Sequence, residues 1–99
     1  MPKGKKTPEQ IAIWKKKHKD IYELEVEGVF GYVKKPGREE LAHASVIAQN
    51  NPITFNEIIL RDCWLGGDET IQTDDDKFLG VSGVLDEIVK VAEAKIKKL

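Results

Sequence analysis

Three consecutive carboxylates, one thiol and two imidazoles are the side chains best suited to chemistry in this chain. Asp74, Asp75 and Asp76 could offer oxygen ligands to calcium or magnesium. Their spacing argues otherwise, because a calcium loop of the helix-loop-helix kind needs acids at alternate positions and a glycine at the sixth. Three acids ahead of an apolar stretch read more simply as helix-start residues, where they meet the positive end of the dipole. Cys63 could act as a nucleophile only with His18 or His43 as its base. It precedes Trp64 in a segment that must bury something, so a packed thiol is the stronger reading. His43 falls off the apolar stripe of its own segment and reads as a surface residue. One cysteine and two histidines are too few for a four-ligand zinc site, and neither a glycine-rich phosphate loop nor a serine elbow occurs. No catalytic residue, cofactor-binding residue or metal ligand is assigned; the expectation is a protein that is not an enzyme and carries no cofactor.

The aromatic and basic residues offer binding instead. Trp14, Phe30, Tyr32, Phe55 and Trp64 are core material in a small domain, yet tryptophan and tyrosine also anchor interfaces. Tyr32, Phe55, Trp64 and Leu65 are the candidate contacts to a protein partner, beside the edge of a β-hairpin. The formal net charge of -1 conceals an asymmetry. Residues 1–19 hold seven lysines against Glu9, a balance of +6, whereas residues 20–99 carry -7. Lys5, Lys6, Lys15, Lys16, Lys17 and Lys19 are therefore candidate contacts to nucleic acid, in a salt-dependent mode. The leader lacks the interleaved aromatics and arginines of nucleic-acid readers. A solvated helix face, or contact with the acidic body, outweighs that alternative.

Local patterns indicate what must position these groups. Residues 1–6 have nothing to bury and read as a flexible basic tail ahead of one globular domain over 7–99. Thr7, Pro8 and Gln10 form a helix-start signal, and a helix over about 8–18 puts Ile11, Trp14 and His18 on one narrow face. From residue 20 the period becomes two, with Tyr22, Leu24 and Val26 alternating with Glu23, Glu25 and Glu27. Glu27-Gly28 suits a two-residue hairpin loop before a second strand, Val29 to Val33, in which Gly31 marks a bulge or close approach.

A helix over about 38–49 presents Leu41, Ala44, Ser45 and Ala48. The next begins either at Asn51-Pro52 or at a capping box from Thr54 to Glu57, buries Phe55, Ile58 and Ile59, and ends with Trp64-Leu65 before Gly66-Gly67. Beyond the acidic residues 68–76, Val81, Val84, Leu85, Ile88, Val91, Ala92 and Ile96 recur at helical steps, with Leu99 closing the series. Gly80 and Gly83 suggest a bend between a turn at residues 75–79 and this long helix. The fold class expected is α+β: a hairpin packed with an N-terminal helix, two short central helices and a long C-terminal helix.

Ninety-nine residues, 40% hydrophobic and 33% charged, fit one folded domain and exclude wholesale disorder. No apolar run reaches the roughly 18 residues of a membrane span, and no signal-peptide core follows Met1.

Short motifs add a resemblance. Tyr32-Val33-Lys34-Lys35-Pro36-Gly37-Arg38, Phe55-Asn56-Glu57-Ile58-Ile59-Leu60, Cys63-Trp64-Leu65-Gly66-Gly67-Asp68 and Lys97-Lys98-Leu99 make the chain from about residue 23 onward resemble small bacteriophage and prophage proteins similar to tail-assembly chaperones. The resemblance implies a non-enzymatic chaperone or adaptor in the cytoplasm of a bacterial host. Such a protein holds aggregation-prone virion components, such as the tape-measure protein, and could self-associate into a homo-oligomer. The basic leader departs from that pattern.

Overall fold

The computed structural model describes residues 3–18, 20–89 and 94–99. The order of elements is α1 (Pro8–Lys17), β1 (Ile21–Val26), β2 (Val29–Lys34), α2 (Arg38–Ala48), α3 (Pro52–Cys63), β3 (Trp64–Gly67), α4 (Thr70–Thr73) and α5 (Asp75–Ile88). The class is α+β, as expected. The strands form one antiparallel sheet in the order β1-β2-β3.

The alternation from residue 20 does produce the hairpin. Leu24 pairs with Gly31 and Val26 with Val29 across a turn in which Glu27 and Gly28 have φ of 49° and 77°, the left-handed pair that suits the twist of a two-residue loop. Leu24, Val29 and Val33 face a core completed by Ala44, Ile58, Ile59, Cys63, Ile71, Phe78, Val81 and Leu85. The opposite sheet face presents Glu23, Glu25, Phe30 and Tyr32, and the leader and α1 lie over it. Cover on both faces is why Val29 to Val33 are buried without interruption.

Residues 3–6, expected as a tail with nothing to bury, lie against this sheet. The Phe30 amide donates to the Lys3 carbonyl at 2.8 Å, and Lys3 bridges Val29 in parallel. Thr7 accepts from the Gln10 amide at 3.3 Å, which fixes the start of α1.

Asn51 caps α3 by accepting from the amides of Ile53 and Thr54 at 3.0 and 3.2 Å. Of the two starts open in the sequence, Asn51-Pro52 is therefore the one adopted. Trp64-Leu65 does not end a helix: residues 64–67 form β3, with Trp64 opposite Val33 and Gly66 opposite Tyr32. An ideal Cβ at Gly31 would overlap the Trp64 ring and lie 3.0 Å from Ile71 Cδ1. Gly31 is thus the close-approach residue that seats Trp64 on the central strand.

Asp74 caps α5 by accepting from the Lys77 amide at 3.1 Å, with Asp75 and Asp76 in the first turn. The helix runs unbroken through Gly80 and Gly83, so residues 75–79 are its first turns rather than a separate one. At Gly80 the backbone packs close to β1, where an added Cβ would stand 3.0 Å from Val26 Cγ2. The buried stripe is Phe78, Val81, Leu85 and Ile88, whereas Val84 is exposed. Val91 and Ala92 lie outside the described residues. Ile96 and Leu99 are not helical but fully exposed; a lysine-rich segment with no surface to cover lacks the tertiary packing that maintains most helices.

Candidate functional site

The proposed contacts separate into groups. Tyr32 is only 1% exposed. Its hydroxyl donates to Glu23 Oε1 at 2.6 Å and accepts from the Lys6 amide at 3.3 Å, while Trp14 covers its ring at a centroid distance of 5.5 Å. Tyr32 is consumed by internal contacts and offers no surface to a partner in this conformation. Burial, followed by the bond to Glu23, pushes its phenol pKa up. Glu23 also accepts from Lys5 Nζ at 2.5 Å, and these bonds, the Lys5 one first, hold its carboxyl below the usual range.

Trp64 and Leu65 are half-buried in β3, with the Trp64 ring turned onto Gly31 rather than outward. Phe55 is half-buried too, and it is the candidate that opens onto a cleft. It lines a cleft of about 340 Å³ between the α2–α3 corner and Asp86 of α5, in which Ala48 and Pro52 are the other apolar residues and Ser45, Asn50, Asn51 and Asn56 the polar ones. Sequence neighbours of that lining, Val46, Ile47 and Ile53, are 73%, 45% and 56% exposed. The structure therefore does not gather Tyr32, Phe55, Trp64 and Leu65 into one surface; it leaves Phe55 at a cleft of mixed apolar and polar lining and places Trp64 on the sheet.

The lysines divide as well. Lys5 lies 4.5 Å above the Phe30 ring and pairs with Glu23, which is the contact between leader and acidic body that the charge balance allowed. The pairing, through the hydrogen bond to Glu23 first, raises the Lys5 pKa. Lys6 is half-buried near Gly66. Lys15, Lys16 and Lys17 form the exposed last turn of α1, and Lys19 lies outside the described residues.

Cys63 is fully buried, and burial pushes its thiol pKa up to about 11. A thiol so raised is protonated at neutral pH and is a poor nucleophile. His43 is engaged with Asp62, Nδ1 to Oδ2 at 2.6 Å, on the exposed side of α2, and holds the Asp62 carboxyl below its usual range. Asp74 to Asp76 serve the start of α5, and among the described residues no group of three or more metal-ligating side chains gathers. No helix among the described residues is long and apolar enough to cross a membrane.

Sequence reasoning missed two exposed apolar residues, Ile53 and Leu79. Both fall off the buried stripes of α3 and α5, and that mismatch was the available signal. Comparison of the chain with family models, curated proteins and solved structures returns no match.

Proposed function

We propose that this chain is a non-enzymatic protein-binding domain that seats an apolar stretch of a partner in the cleft around Phe55. The observation that carries the reading is the cleft itself, a concave site with Ala48, Pro52 and Phe55 in its lining; Val46, Ile47 and Ile53, adjacent to lining residues in sequence, are exposed. Interfaces draw their energy from an aromatic anchor in a pocket surrounded by contacts that exclude water. The motif resemblance supplies the partner class: an aggregation-prone tail component such as a tape-measure protein, held in the cytoplasm of a bacterial host until assembly. Capture from a phage-producing lysate at low and high salt, with mass spectrometry of the eluate, tests this. The reading expects a tail component that stays bound at high salt and is lost with Phe55→Glu. Equal recovery with that variant, or capture of nucleic acid alone, contradicts it.

A second reading rests on Lys15, Lys16 and Lys17, which present three adjacent positive charges at the end of α1. It makes the chain a nucleic-acid accessory protein, whose binding falls steeply with salt. The diversion of Lys5 to Glu23 leaves that surface with less charge than the sequence offers.

A further inference from the structure

A second groove, of about 290 Å³, lies between the first turn of α3 and the beginning of α5. Ile53, Phe78 and Leu79 form its apolar wall, and Ile53 and Leu79 are more than half exposed. Its ionisable lining is Glu57 and Asp75, and neither enters an ion pair among the described residues. Such a groove fits a segment that is both apolar and basic. The chain contains one: residues 94–99 carry Lys95, Lys97 and Lys98 with no acid, and Ile96 and Leu99 are fully exposed.

We propose that this groove receives residues 94–99 of a second copy of the chain. Ile96 and Leu99 would cover Ile53, Phe78 and Leu79, and the lysines would stand beside Glu57 and Asp75. The segment does not occupy the groove of its own chain: Ile96 and Leu99 stay fully exposed, with the 14-residue α5 running from the groove toward the segment. The two surfaces differ, so the contact is heterologous, and each copy that docks keeps a free groove or a free segment. Copies then add head to tail until the assembly closes or continues.

The test is the molar mass of the full chain by sedimentation over a range of concentrations. Two kinds of variant are needed: Leu79→Glu, which blocks the groove, and Ile96→Glu with Leu99→Glu, which blocks the segment. All three sites are exposed, and Ile53→Glu repeats the groove test if Leu79→Glu impairs folding. Wild type is expected to gain mass with concentration in steps of 11.2 kDa, and each variant alone to remain a monomer. An equimolar mixture of groove and segment variants should give a dimer and nothing larger, since it contains one intact groove and one intact segment per pair. A wild-type monomer at every concentration overturns the proposal, including the case where the segment folds onto its own groove and the segment variant shows only a larger hydrodynamic radius. Oligomers that persist in the variants, or a mixture that stays monomeric, overturn it too. Leu79, Ile96 and Leu99 are absent from the lining of the Phe55 cleft, so partner capture is read separately with those variants, and Ile53→Glu serves the mass measurement alone.

Discussion

Trp14 lies over Tyr32 with ring centroids 5.5 Å apart and planes inclined at 41°. α1 has no buried residue, so this half-buried contact is its main anchorage to the sheet. Trp14→Ala should lower stability by about 1–3 kcal/mol, the scale of a partly buried aromatic and its ring pair. Urea unfolding measures the loss. Limited trypsin digestion should show faster cleavage at Lys15 to Lys17 while the remainder stays resistant; unchanged cleavage would mean that α1 is held by something else.

The seat of Trp64 on Gly31 gives a second test. Gly31→Ala places a methyl group inside the Trp64 ring, and overpacking of this kind costs about 1–3 kcal/mol. Trp64→Leu in the same chain should recover part of that cost, so the two changes are non-additive in a double-mutant cycle. Simple additivity would show that the rings and backbone do not meet in solution.

Acid should destabilise the fold through its paired carboxylates. Glu40 accepts from the Gly37 amide at 2.9 Å and pairs with Lys34 at 3.3 Å, and the Gly37 bond, the larger cause, holds its carboxyl below the ordinary 4.5. Glu23 is depressed in the same direction by Lys5 and Tyr32. A carboxyl depressed by folding adds stability that is complete above its unfolded value and is lost as pH falls through the folded one. The melting temperature should therefore fall as pH drops below about 4.5, the ordinary glutamate value. Glu40→Gln should melt lower near neutrality and respond less steeply to acid.

Cys63 should be inert in the native state. Its thiol is raised from 9.0 to about 11, chiefly by burial. A thiol-specific disulfide reagent at pH 8 should react only at the rate of unfolding, and urea should accelerate the reaction. The sign on the alkaline side is opposite to that of the carboxylates: a group raised by folding adds stability below its unfolded pKa and loses it as pH rises through the folded one. The Cys63 contribution accordingly disappears between pH 9.0 and about 11. Rapid native-state labelling would contradict the packed-thiol assignment.

Much of the architecture is legible in local pattern. The period of two at Tyr22, Leu24 and Val26, the Glu27-Gly28 turn and the Thr7 cap all reappear in space, because each depends on neighbours a few residues away. β3 was not legible: Trp64-Leu65-Gly66-Gly67 has no alternation and little strand propensity, and it is extended because β2 pairs with it. Tyr32 looked available because its cover, Trp14, lies 18 residues upstream and belongs to a helix with few other contacts. The leader was read as a tail because its partners, Glu23 and Phe30, are on another element. For the candidate site, Phe55 was named from its type alone, whereas the cleft beside it depends on the meeting of the α2–α3 corner with α5.

The central claim is that Phe55 anchors a protein partner through apolar contact. Its most direct test is the dissociation constant of the purified tail component for wild type, Phe55→Glu and a variant with Lys15, Lys16 and Lys17 all changed to alanine, at low and high salt. The account predicts wild-type binding nearly independent of salt, a loss of about tenfold or more with Phe55→Glu, and little effect of the lysine changes. Binding that collapses in salt, survives Phe55→Glu and is lost with the three lysines would contradict it.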